Sequence, residues 1–60
     1  MNRETALKWL YDRLREKRRS IGRAEGKPNV SPAELEALRT AAEVIEWIIG
    51  KVLEGNEHGN

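Results

Sequence analysis

The residues of this chain best suited to chemistry are its arginines. Between Asp12 and Lys27, seven basic residues (Arg13, Arg15, Lys17, Arg18, Arg19, Arg23 and Lys27) stand among three acidic ones, a local net of +4. From Pro32 to Asn60 the balance reverses to six acidic and two basic residues, a net of −4, and the whole chain carries +1. Up to Lys27, arginine outnumbers lysine six to three. A guanidinium fork holds phosphate through paired hydrogen bonds and stacks on rings, so the cluster is a candidate anion site. The competing explanation is structural. Positive charge late in a helix complements the helix dipole, and a basic helix can face an acidic one.

The three aromatics bear on that choice. On a helical wheel Trp9 and Tyr11 fall ~100° to either side of Leu10, at the borders of an apolar face. Boundary packing explains both. Trp47 lies ~160° from Ile45, among Glu43, Gly50 and Glu54, and therefore opposite the core of its own helix. Such a tryptophan needs another contact, either an oligomer interface or a ligand. A base stacked on a ring, with arginines on its phosphates, is a common way to hold a nucleotide. Arg18, ~80° from Leu10 on the Tyr11 flank, and Arg23 just beyond it are the expected direct contacts. Tyr11 or Trp47 would supply the stacking surface, whereas Arg15 and Arg19 fall on the solvent side.

Other chemistry is set aside. Gly22-Arg-Ala-Glu-Gly26-Lys27 has one residue too few between its glycines for a phosphate loop. It also has Pro28 where Ser or Thr is needed, and no preceding strand. His58 is the single histidine and lies near the end of the sequence, which argues against a histidine metal site or catalytic dyad. Glu43 could pair with Glu36 or Glu46, but a solvated acidic face explains them. No nucleophile, base and orienting partner come together, so the expectation is a non-enzyme with no metal and no cofactor.

The elements that must position these residues are helices. Leu7, Leu10, Leu14 and Ile21 share one face, with Lys17 at the intervening heptad position, and Asn2 is a candidate N-cap with Glu4 in the first turn. The first helix is expected over about residues 3–21. Gly22 fits a left-handed closing position and Pro28 blocks continuation, which leaves a loop over 22–31. Ser31-Pro32-Ala33-Glu34 reads as a capping box and starts the second helix, expected over 32–54 with Gly55 as its cap. The tail 55–60 is expected to be disordered.

In the second helix Leu35, Leu38, Ala42, Ile45, Ile49 and Val52 recur at steps of three and four. Its apolar arc, extended by Ala37, Val44 and Ile48, spans roughly 180°, wider than the ~100° needed to cover one neighbour. A chain of two helices with such an arc is expected to form homo-oligomers. The fold class is therefore all-α, an antiparallel helical hairpin whose simplest closed assembly is a dimeric four-helix bundle. A trimer or larger assembly fits the same pattern. Ile45, Ile48, Ile49 and Val52 are the expected interface.

Composition agrees. Sixty residues make one domain, short for a self-sufficient core, and the absence of cysteine removes disulfides as a remedy. Charged residues make up 35% of the chain, which excludes a membrane span, and no apolar signal core follows Met1–Thr5. The expected location is cytoplasmic, which makes Asn29-Val30-Ser31 a chance match to the glycosylation pattern.

Three functions fit these residues. An oligomeric helical scaffold could bind a phosphate-bearing ligand, it could dock on a partner protein, or it could bind nucleic acid through the basic half of the first helix. A net charge of +1 argues against the last, because a polymer binder gains most of its affinity from a broad basic surface. In its two helices, short length and Arg/aromatic content, the chain resembles small phage proteins that assemble as helical oligomers and sequester cyclic-nucleotide immune signals. The resemblance implies a cytoplasmic nucleotide-binding oligomer. No motif accompanies it, so no site residue carries over.

Overall fold

Helix starts in this chain are chemically marked. The computed structural model describes the backbone of residues 2–57 and the side chains of residues 2–55. Helix α1 spans Arg3–Glu25, with Asn2 as its N-cap: the Thr5 N–H donates to Asn2 Oδ1 at 2.8 Å. Helix α2 spans Pro32–Glu57. There the Glu34 N–H donates to Ser31 Oγ at 3.1 Å, and the Ser31 hydroxyl faces Glu34 Oε1 at 3.5 Å. Both caps satisfy amide donors that the first helical turn leaves without partners.

Both helix ends lie beyond the positions the glycines suggest. Helix α1 runs through Gly22 for another turn, and its cap Gly26 sits in the right-handed region (φ −85°, ψ −3°). Gly26 N–H donates to Arg23 O at 3.2 Å and Lys27 N–H to Ala24 O at 3.0 Å, a tightened last turn. The extra turn buries Ala24 and carries Glu25 to Arg39 of α2, with Oε2 and Nη2 2.9 Å apart. Tertiary contacts thus outweigh the ~1 kcal/mol a helical glycine costs relative to alanine. Helix α2 likewise continues through Gly55 to Glu57, so residues 55–57 are helical rather than disordered tail. The expected disorder of residues 58–60, and His58 with it, lie outside the described residues. The connection shrinks from ten residues to six, 26–31, an ordinary length between packed helices.

The two helices pack lengthwise and antiparallel. Leu10 and Leu14 of α1 meet Ala42 and Ile49 of α2, and Leu7, Ile21, Ile45, Ile48 and Val52 close around them. Lys17 is half-buried at the gap in the α1 stripe, a position that an aliphatic stem with a charged end suits. Two helices are the whole thickness: the chain measures 48 × 16 × 13 Å along its principal axes. The best-buried side chains, Leu14 and Ile49, still keep 6% of their surface exposed. No described helix is long and apolar enough to cross a membrane.

Candidate binding surfaces

Tyr11, Leu14, Arg15 and Arg18 share one flank of α1, because positions i, i+3, i+4 and i+7 stack along a helix face. They line an open cavity of about 310 Å³. Arg18 is not free there. Its Nη2 donates to Glu46 Oε2 of α2, an ion pair between two half-exposed side chains. Arg15 sits 3.9 Å from Asp12 Oδ1, a loose contact on the solvent side. Exposed pairs of this kind contribute roughly 0–1 kcal/mol, so an incoming phosphate could compete for either guanidinium at little cost.

The other expected contacts do not join them. With α1 continuous past Gly22, Arg23 is held on the helix, five residues and therefore ~140° around the wheel from Arg18. Its Nη2 reaches Ser20 Oγ at 3.4 Å instead. The expectation that Arg18 and Arg23 converge on one ligand is thus corrected within a single chain. Trp47 stands apart as well, 64% exposed on α2, with Lys51 Nζ 5.5 Å from its ring centroid. Of the four expected ligand residues, Tyr11 and Arg18 are brought together, and Arg23 and Trp47 are not.

A second surface lies on the opposite side of the hairpin. The Arg18–Glu46 and Glu25–Arg39 pairs bridge the helices along one edge. The far edge carries Ala37, Ala41, Val44 and Ile48 of α2, with Trp9, Arg13 and Ser20 of α1 beside them. Val44 is 47% exposed and Trp9 51%, while Ala41 and Ile48 are half-buried. The Arg13 guanidinium carbon lies 4.8 Å from the Trp9 ring centroid, a cation–π contact within one helix turn. Among the four expected interface residues, Ile49 is consumed by the hairpin's own core. Ile45, Ile48 and Val52 pack against that core and stay partly exposed.

Arg13 over Trp9, Lys51 over Trp47 and Arg15 in the cavity wall are features that sequence reasoning passed over. The i, i+4 spacing of each cation–aromatic pair was the available signal. Among the described residues, no group of three or more His, Cys, Asp and Glu side chains could hold a metal ion. Comparison with protein-family models, with curated proteins and with solved structures found no match.

Proposed function

We propose that this protein is a non-enzymatic helical association module. It self-associates through the exposed edge of α2, most simply as a dimeric four-helix bundle, and binds a phosphate-bearing ligand in the Tyr11–Arg15–Arg18 groove. One observation carries the association. A chain whose best-buried side chain keeps 6% of its surface leaves Val44 47% and Trp9 51% exposed along that edge. Domains of this length commonly add disulfides, metals or a second copy to complete a core, and this chain has no cysteine.

The ligand reading rests on a separate observation, the meeting of one aromatic ring and two guanidinium groups around an open cavity. That set suits a compact anion with a stackable ring. It suits a nucleic-acid polymer poorly. Arg13, Arg15, Arg18, Arg19 and Arg23 spread around the α1 wheel instead of forming a stripe, and α2 beside them carries a net charge of −4. The resemblance to phage proteins that sequester cyclic-nucleotide signals makes cyclic dinucleotides the first ligands to test. Docking on a partner protein is the alternative use of the same exposed aromatics.

Titration calorimetry of the full chain against mono-, di- and cyclic dinucleotides and short DNA tests the ligand arm. Binding to a compact phosphate that disappears in the Arg15→Ala/Arg18→Ala variant, with helicity unchanged, supports it. No heat with any of them removes the ligand arm and gives partner docking its place.

A further inference from the structure

We propose that Glu46 is a built-in competitor for the anion groove. Its carboxylate occupies the Arg18 guanidinium in the free protein, a phosphate-bearing ligand displaces it, and that exchange sets the affinity of the groove. This rests on the ligand reading above and adds what regulates its site.

The first support is what each member of the pair has besides the other. At the i±3 and i±4 positions of its own helix, Arg18 meets Leu14, Arg15, Ile21 and Gly22. Glu46 meets Ala42, Glu43, Ile49 and Gly50. Neither set holds an opposite charge, and each holds a like one. Arg18 and Glu46 therefore answer each other across the helices, and no second ion pair keeps Glu46 away once Arg18 is taken. Arg18 lines the cavity, so the carboxylate that holds it stands at the cavity's edge.

The second support is how the pair is made. Glu46 accepts through one oxygen from one guanidinium nitrogen, and both side chains are half-exposed. That leaves most of the Arg18 fork unused. A phosphate can take two parallel hydrogen bonds from the same fork and reach Arg15 as well, whose contact with Asp12 is loose at 3.9 Å. The carboxylate is thus a one-point stand-in for a ligand that can bind at more points. It is displaceable, and it lowers affinity in proportion to what its own contact is worth.

Glu25 supplies a matched comparison. It too joins the helices by a half-exposed ion pair, to Arg39, but neither residue lines the cavity. Glu25 lies seven residues from Arg18, ~10 Å along α1. Glu25→Gln and Glu46→Gln change the net charge equally and each remove one interhelical pair. Only the second frees a guanidinium in the groove.

The experiment is titration calorimetry of the full chain and both variants with AMP, pyrophosphate and cyclic di-AMP, with helicity checked by circular dichroism. An exposed pair is worth up to about a fivefold change in a competing equilibrium, and loss of the carboxylate's repulsion adds to it. Glu46→Gln should therefore tighten binding about three- to tenfold. Glu25→Gln should leave it within about twofold. Binding seen in Glu46→Gln and not in wild type supports the proposal in its strongest form, a groove held shut by its own carboxylate. Wild-type binding that Glu46→Gln leaves unchanged or weakens overturns the competitor and leaves the ligand reading standing. Equal tightening in both variants also overturns it, because net charge then accounts for the effect. Absence of binding in wild type and Glu46→Gln alike removes the ligand reading beneath it.

Discussion

Replacing Ile49 by alanine removes three carbons from one of the two best-buried positions in the hairpin. At about 0.8 kcal/mol per buried carbon the lost transfer energy is roughly 2.4 kcal/mol. Cavity formation adds to this in a deep core, but this core is one layer thick, and water or a neighbouring side chain can fill the space. Alanine's better helix propensity returns a few tenths of a kcal/mol. The net cost is then about 2 kcal/mol, at the low end of the range for large-to-alanine core changes. Domains of 60 residues have on the order of 3–9 kcal/mol in total, so the variant loses a large share of its stability. In a melt followed by circular dichroism the midpoint should fall by about 8–16 °C. Val44→Ala is the matched control. Within an isolated hairpin, Val44 is about half exposed, and its lost burial of roughly 0.8 kcal/mol nearly cancels against helix propensity. If a second copy covers Val44, the cost rises to about 1–2 kcal/mol and depends on protein concentration. An Ile49→Ala loss below about 1 kcal/mol would refute the core described here.

Two further outcomes are expected. Ser31→Ala should cost on the order of 1 kcal/mol and Ser31→Asp almost nothing, measured by urea unfolding, because the Glu34 N–H needs an acceptor at the N-cap. Gly22→Ala should stabilise the protein by roughly 0.5–1 kcal/mol, since a Cβ there meets nothing within 4 Å and the position is inside a helix. Destabilisation in thermal melts would mean that α1 ends at Gly22 after all.

The existence and starts of both helices were legible because hydrophobic spacing and N-cap chemistry are local. The ends were not. Glycine permits a left-handed cap without requiring one, and what carries α1 onward is the burial of Ala24 and the pairing of Glu25 with Arg39, both set by the other helix. The same gap explains the fate of the candidate site. Tyr11 and Arg18 line one cavity because they are seven residues apart on one helix, a spacing that is local. Arg23 was misplaced because its direction depends on where α1 stops, and Glu46 was missed as the partner of Arg18 because that contact depends on interhelical register. The arc of α2 told how much apolar surface exists. Only the position of α1 tells that Ile49 is used within the chain while Val44 remains open.

The most direct test of the account is the mass of the wild-type protein in solution as it is diluted. Sedimentation velocity across a wide concentration range, with helicity followed at each point, should give at least twice the 6.9 kDa chain mass at high concentration. Helicity should fall as the assembly dissociates. A fully helical 6.9 kDa monomer at every concentration would contradict the account.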